Sequence, residues 1–222
     1  MTDIRTAGAL RNDGAIVEEI AVDGEPQLLL ERPGSDPEIA PEFEYQGYRF
    51  LPWKGSLIES GAVKLAGRPE SYGTVPQLVG ELRDFTHTYV QLTDAAEQMA
   101  PWYALHTWTA DVVGVTPYYR FLDDYGRGKT RGLEVVGSMC RLPMFAAGAT
   151  TPAPIFRIIQ MFRGTLVMDE ADSSNSELWT DLAKILNQGY VAGWPVIRAK
   201  KIGNRWEPTI LRLLRSEGAG NA

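Results

Sequence analysis

A glycine-rich segment in the middle of the chain has the residue types of a phosphate-binding loop. It runs from Asp123 to Thr130 and reads DDYGRGKT, close to the pattern G-x-x-x-x-G-K-[ST] that joins a strand to a helix. Its glycines let successive backbone N–H groups point at phosphate oxygens, and the following helix adds its positive end. Lys129 would reach the β- and γ-phosphates, and the Thr130 hydroxyl would hold Mg²⁺. The residues expected to bind the cofactor ATP are Gly126, Arg127, Gly128, Lys129, Thr130 and Arg131.

Asp123 stands where this pattern has its first glycine. Aspartate is one of the few residues besides glycine that tolerate left-handed backbone angles, so the turn out of the strand can survive. A carboxylate that faced a triphosphate would repel it, so this side chain must point away or weaken binding. The substitution therefore lowers the expected affinity more than it argues against a site.

A second motif ends in acidic residues and has the form of a Walker B segment; its Asp169 lies 40 residues after Lys129. The apolar run 165–168 ends in Asp169 and Glu170. Asp169 would complete the Mg²⁺ site with Thr130, and Glu170 would orient and deprotonate the attacking water. The sequence thus predicts Lys129 and Glu170 as catalytic residues and Thr130 and Asp169 as metal ligands.

Strands and helices alternate in the part of the chain that must position these groups. The predicted elements are a strand at 118–123, a helix at 129–141, a strand in PMFAAGAT, a helix in TPAPIFRIIQMF, a strand in RGTLVMDEAD and a helix in SNSELWTDLAKILNQGY. This order is typical of a parallel sheet covered by helices. The predicted fold class is therefore α/β, a three-layer P-loop NTPase core with a parallel sheet, preceded by a small β-rich N-terminal region.

The chain divides into three predicted segments. Residues 1–76 form the β-rich appendage, with turns at Asp23-Gly24 and near Gly47, and its acidic balance indicates a solvated face. Residues 77–115 form a helical connector, and residues 116–222 form an incomplete P-loop core with a C-terminal β-hairpin.

Two helices are predicted in the connector. The first begins near Val75 and carries an apolar stripe with three- and four-residue spacing. The members of this stripe are Leu78, Leu82, Phe85 and Tyr89. The second is capped at Thr93-Asp94, and Pro101 is expected to interrupt or restart it.

The composition indicates a globular protein of a reducing, cytoplasmic setting. The 222 residues are 44% hydrophobic and 23% charged, without an apolar run of about 18 residues and without the pattern of a secretory signal. No membrane association is therefore expected. The single Cys140 excludes an internal disulfide, and His87 and His106 add too few ligands for a metal cluster. Both histidines are interpreted as ordinary helix residues.

Charge is distributed unevenly although the net charge is −6. Residues 1–60 have five basic and twelve acidic side chains, whereas residues 196–215 have six basic residues and one acidic residue. The stretch PVIRAKKIGNRWEPTIL, residues 195–211, overlaps this basic segment and has the form of a hairpin that could bind single-stranded DNA. Its proposed DNA-binding residues are Lys200, Lys201, Arg205 and Trp206. The alternative is a solvated hairpin whose lysines only discourage aggregation.

The segment from about Val90 to Arg198 resembles the P-loop ATPase domains of replicative helicases or primase-associated proteins from phages, plasmids and integrated elements. The resemblance is carried by the glycine loop, by PAPIFRIIQMFRGTLVMDEAD and by LAKILNQGYVAGWPVIR. It implies a RecA/AAA+-like core, ATP with Mg²⁺, assembly into a homo-oligomeric ring and DNA as a partner. Arg157 matches a position that is often arginine in such proteins, and the alternative is a packing or surface role.

Complete members of that class continue into a strand with a polar sensor residue and an arginine finger. This chain ends in ILRLLRSEGAGNA, so the expectation is a core that lacks those parts. Two functions remain open: a Mg²⁺-dependent ATPase module of a helicase-like replication protein, or a nucleotide-binding or protein-interaction module without hydrolysis. A small-molecule kinase is a third and weaker hypothesis.

Overall fold

The structure is a computed structural model that describes residues 2–113, 115–122, 128–147, 152–169, 196–202 and 205–211. The strands of the N-terminal part are β1 (Thr2–Arg5), β2 (Gly8–Leu10), β3 (Ile16–Val22), β4 (Glu25–Glu31), β5 (Glu38–Ala40), β6 (Phe43–Tyr45) and β7 (Tyr48–Leu51). The helices are α1 (Ser56–Glu59), α2 (Val75–Tyr89), α3 (Asp94–Trp108), α4 (Lys129–Met139) and α5 (Pro152–Phe162). The later strands are β8 (Met144–Ala146), β9 (Leu166–Met168), β10 (Val196–Ile202) and β11 (Arg205–Leu211).

The N-terminal strands form two sheets with the orders β2-β3-β4-β5 and β1-β7-β6. Asp23 and Gly24, with φ of 53° and 83°, link β3 to β4, and Gln46 and Gly47, with φ of 52° and 80°, link β6 to β7. Two successive residues with positive φ are what a tight type I′ hairpin turn requires. Both predicted turns are therefore confirmed.

The middle of β3 is buried on both faces. One face contributes to an apolar core between the two sheets, whose buried residues are Ala15, Val17, Leu28, Leu30 and Phe50. On the other face, Ile20 and Val22 pack with Leu29. Glu18 and Glu19, both in β3, are only 9% and 0% exposed. The expectation of a solvated acidic face is therefore wrong for these two side chains, because the second sheet packs against the Glu19 face of β3 and Arg141 binds Glu18 on the other face.

Burial makes the Glu19 carboxyl a weaker acid than an exposed glutamate. It raises the pKa of Glu19 from 4.5 to about 8, partly opposed by the backbone of Trp53 and reinforced by the charge of Glu18. The ionised form of a carboxyl is disfavoured wherever water is excluded. Glu19 is consequently neutral in the folded chain at mildly acidic pH.

This shift predicts a pH dependence of stability. Between pH 4.5 and about 8 the folded chain keeps a proton on Glu19 that the unfolded chain has released. Raising the pH should therefore lower the free energy of unfolding, at most by about 1.4 kcal/mol per pH unit. Urea unfolding at several pH values from 5 to 8 should show this decline in the natural chain and a smaller one in Glu19→Gln. Equal slopes in both proteins would contradict the assignment.

The two long helices begin at side-chain caps, of which the sequence predicts the one at Thr93. The Thr74 hydroxyl accepts from the backbone N–H of Gln77 at 3.4 Å, and the Gln77 side chain accepts from the backbone N–H of Thr74 at 2.8 Å, which forms a capping box for α2. The Thr93 hydroxyl caps α3 by accepting from the backbone N–H of Ala96 at 3.4 Å. The expected break at Pro101 is wrong, because α3 continues through it to Trp108. The buried position of the Pro101 ring lets tertiary packing support the helix across the missing N–H.

In the described α/β part, strands β8 and β9 pair in parallel, and helix α5 connects them. Met144 pairs with Leu166, and Ala146 pairs with Met168. The predicted helix at 129–141 is present as α4, and both short strands and the intervening helix lie where the sequence predicts them. The helix predicted in SNSELWTDLAKILNQGY lies outside the described residues. The three-layer P-loop core therefore stays a prediction beyond these elements.

The predicted strand at 118–123 is wrong over residues 118–122, which have no strand pairing. Aromatic packing holds this segment instead. The Tyr119 hydroxyl donates to the carbonyl of Ala96 at 2.8 Å, and its ring lies 5.2 Å from those of Tyr103 and Phe121. The segment thus packs against α3.

The N-terminal region shares a core with the α/β part, so it is not an appendage. Val63 forms a bridge with Met144 of β8, and the Phe145 backbone N–H donates to the Ala62 carbonyl at 2.8 Å. The buried residues of the shared cluster are Ala7, Val63, Leu142, Met144, Ile155, Phe156, Ile159 and Phe162. Turn and strand signals show local structure only, so this long-range packing was not visible in the sequence.

A buried ion pair reinforces the same junction. Arg141 donates from Nε and Nη2 to the two carboxylate oxygens of Glu18 at 2.9 and 2.7 Å. Its backbone N–H donates to the Thr107 hydroxyl at 2.9 Å, and Asp111 lies 3.9 Å from Nη1. Burial raises the pKa of Glu18, and the Arg141 charge partly opposes that change. A side chain at Gly8 would collide with both partners, so glycine leaves room for the pair.

Candidate functional site

The start of α4 has the geometry expected at the end of a phosphate-binding loop. Gly128 is its N-terminal cap residue with φ of 83°, a left-handed conformation that strains any residue with a Cβ. The Gly132 N–H donates to the Gly128 carbonyl at 3.0 Å and closes the first turn. Lys129 and Thr130 are the first two residues of the helix. Gly126 and Arg127, together with Asp123, lie outside the described residues.

The two predicted metal ligands are in direct contact. The Thr130 hydroxyl donates to Oδ2 of Asp169 at 2.6 Å. Asp169 directly follows β9, and its backbone N–H donates to the Ala146 carbonyl at 3.3 Å. The parallel β8–β9 pair thus brings a residue 39 positions away in sequence to the first turn of α4.

Close packing at glycine fixes α4 against β9. A Cβ at Gly137 would lie 2.8 Å from the Val167 side chain, and one at Gly132 would lie 2.6 Å from the Phe121 ring. Such distances exclude larger residues without a shift of the neighbours. The helix therefore lies directly on the strand that carries Asp169, and the Thr130 contact follows from this packing.

Arg131 lies on another side of the same helical turn. Its Nε donates to the Tyr89 carbonyl at 3.1 Å, and its guanidinium carbon lies 5.7 Å from the centre of the Tyr89 ring. Nη1 is 3.6 Å from the Glu134 carboxylate. This arrangement joins the start of α4 to the end of α2. The apolar stripe predicted on α2 is only partly buried, because Phe85 and Tyr89 are 40% and 49% exposed.

The donor set at Thr130 and Asp169 fits a magnesium ion. Hydroxyl and carboxylate oxygens are the hard ligands that Mg²⁺ prefers, and beside phosphates it is commonly bound by one or two protein ligands. A positively charged Lys129 and the N-terminal end of α4 stand next to them. The described part of the site can therefore hold an anion and a divalent cation side by side.

The remaining predicted residues have different positions. Glu170 lies outside the described residues, and Arg157 is exposed on α5. The predicted C-terminal hairpin is present as the antiparallel pair β10 and β11, in which Ile202 is opposite Arg205 and Lys201 is opposite Trp206. Lys200 is opposite Glu207. The four proposed DNA-binding residues therefore lie in register near the closed end of the hairpin.

The cysteine and the two histidines lie away from the start of α4, in different surroundings. Cys140 is buried, which raises its pKa to about 12 and keeps the thiol neutral. His87 lies 3.1 Å from the Glu97 carboxylate, which Arg83 also contacts. His106 is half-buried on α3. The burial of Cys140 and the contact of His87 with Glu97 support a structural role for these two residues, whereas the buried Nε2 of His106 has no hydrogen-bond partner among the described residues.

Tyr89 is a contact of the site that motif reasoning missed. It lies 42 residues before Arg131 in the chain, and nothing in the stripe on α2 distinguishes it from a core residue. The arginine directly after the GKT motif is visible in the sequence, but its partner on α2 is not.

Comparison with known proteins finds no family model, no curated protein and no solved structure that matches this chain. The resemblance to P-loop ATPases therefore rests on the motif residues alone. Among the described residues, each helix is too short or too polar to cross a lipid bilayer.

Proposed function

We propose that this chain binds ATP with Mg²⁺ at the start of α4 and hydrolyses it, as the ATPase module of a helicase-like DNA replication protein. The observation that carries the proposal is the 2.6 Å contact between Thr130 and Asp169. These residues belong to two motifs that are predicted independently of each other. Their meeting at a helix start and a strand end is the arrangement in which P-loop proteins hold the metal of a nucleotide.

Each residue has a defined task under this proposal. Backbone N–H groups at the left-handed Gly128 and the first turn of α4 hold phosphate oxygens. Lys129 binds the β- and γ-phosphates, and Thr130 and Asp169 hold Mg²⁺, which neutralises phosphate charge when bound. Glu170 orients the water that attacks the γ-phosphate and accepts its proton.

The metal site is tested by the dependence of ATP binding on Mg²⁺. Calorimetric titration should show that Mg²⁺ strengthens ATP binding to the natural chain. Thr130→Val and Asp169→Asn should weaken the effective affinity for Mg²⁺ by about 10- to 100-fold. Thr130→Ser keeps the hydroxyl and serves as the matched control that retains the effect. If Mg²⁺ strengthens ATP binding to Thr130→Val and Asp169→Asn as much as to the natural chain, the metal assignment is wrong.

The DNA part of the proposal is supported by the resemblance and by the hairpin of β10 and β11. Lysine, arginine and tryptophan are residue types that suit the backbone and bases of a single strand. ATP turnover is therefore expected to increase when a single-stranded oligonucleotide is added. Tight ATP binding without turnover, with or without DNA, would favour the alternative of a non-hydrolysing nucleotide-binding module.

A further inference from the structure

We propose that Tyr89, with Phe85 beside it, is the platform on which the base of the nucleotide stacks. This inference rests on the proposed nucleotide site at the start of α4. It makes the ligand class a nucleoside triphosphate, recognised by the face of its base and not by the edges. Adenine and guanine nucleotides should then bind with similar affinity.

The first step is the orientation of two successive residues on α4. Thr130 faces β9, where its hydroxyl contacts Asp169. Neighbouring helix residues are rotated by about 100° around the axis, and Arg131 accordingly faces α2, where it contacts Tyr89. The helix start therefore has a metal flank, formed with β9, and an aromatic flank, formed with α2.

The second step is the direction of a bound nucleotide. Thr130 and Asp169 would hold Mg²⁺ at the γ-phosphate end of the nucleotide, and backbone N–H groups at Gly128 and the first turn of α4 would hold the phosphates nearer the nucleoside. The nucleoside leaves from the α-phosphate, at the end opposite to the metal. If Thr130 and Asp169 fix the metal end, then the base is directed to the flank of Arg131 and Tyr89.

The third step is the chemistry of the aromatic flank. The rings of Phe85 and Tyr89 are 4.8 Å apart and tilted by 55°, yet both remain well exposed. In the same part of α2, Thr86 is fully buried, so the helix is anchored while the two rings remain available. Aromatic rings and arginine guanidinium groups are the surfaces on which bases stack, and every base offers such a face.

Arg131 acts as a positioning residue for this platform. It holds the last carbonyl of α2 through Nε and is itself held by Glu134 on the same helix. The guanidinium also lies near the Tyr89 ring, where a cation stabilises the negative face of the ring. The platform is therefore set in place before a ligand arrives.

The test separates the base from the phosphate chain. Affinities for ATP, GTP and inorganic tripolyphosphate, each with Mg²⁺, are measured by calorimetry for the natural chain, Tyr89→Ala, Tyr89→Phe and Lys129→Ala. Tyr89→Ala should weaken ATP and GTP by about tenfold and leave tripolyphosphate within about twofold, while Tyr89→Phe keeps all three affinities. Lys129→Ala should weaken all three ligands.

The outcomes distinguish this inference from the proposed function. If Tyr89→Ala weakens the binding of ATP and GTP but not of tripolyphosphate, the result supports the stacking platform. If Tyr89→Ala weakens the binding of all three ligands equally, Tyr89 has a structural role. If it leaves the affinity for ATP unchanged, the stacking proposal is wrong, but the proposed phosphate site is unaffected. If the natural chain binds none of the three, the proposed function fails and the platform fails with it. Phe85→Ala provides a second variant, which should lower the affinity for ATP but not for tripolyphosphate.

Discussion

Lys129→Ala should lower ATP turnover by about 10²- to 10³-fold, the effect of removing one group that stabilises charge in a transition state. Lys129 is the first residue of α4 and stands beside Thr130, whose hydroxyl contacts Asp169. Its ammonium would follow the γ-phosphate as charge moves toward the leaving oxygen. Turnover is measured as phosphate release with Mg²⁺ present, and binding of ATP is measured in parallel.

Two further variants make this result specific. Lys129→Arg keeps the charge but not its compact shape, so it should recover only part of the activity. Glu170→Gln should bind ATP normally and lose turnover, because it cannot accept the proton of the attacking water. If Lys129→Ala turns over ATP as fast as the natural chain, the phosphate-loop assignment is wrong.

Arg141→Met should destabilise the folded chain by about 3–5 kcal/mol, since it leaves the buried Glu18 carboxylate without its charge partner. The pair has two hydrogen bonds and both side chains are about one-tenth exposed. Breaking it should loosen the attachment of β3 to the segment between α4 and β8. The free energy of unfolding is measured with urea at pH 7.

A double variant and a surface pair serve as controls. Arg141→Met with Glu18→Leu removes both charges and should recover most of the lost stability, since an apolar pair often replaces a buried ion pair at little cost. Arg49 and Glu42 form an exposed pair at 2.6 Å, and Arg49→Met should change stability little. If Arg141→Met leaves the free energy of unfolding unchanged, the ion pair does not stabilise the junction.

Local signals in the sequence predict the elements of the site well. Thr93 caps α3, Asp23-Gly24 forms a turn, and the GKT motif marks the start of α4. Each of these depends on residues within a few positions of one another, so composition and spacing suffice. The pairing of Thr130 with Asp169 was also predictable, because two motifs with known partners occur in order.

The errors all involve contacts between distant parts of the chain. Glu18 has the sequence pattern of a solvated strand residue, and only its distant partner Arg141 explains why it is buried. The stretch 118–122 has the composition of a strand, but Tyr119 finds partners on α3 in place of a neighbouring strand. Pro101 is tolerated because tertiary packing outweighs a local helix signal. Tertiary context of this kind routinely overrides propensity.

The buried pair also has a consequence for synthesis on the ribosome. Glu18 and Arg141 are 123 residues apart, so β3 leaves the ribosome long before its partner exists. At a rate of about 5–20 residues per second, the interval is roughly 6–25 s. During that time Glu18 lacks its charge partner, so the junction between β3 and the segment after α4 can form only once Arg141 has emerged.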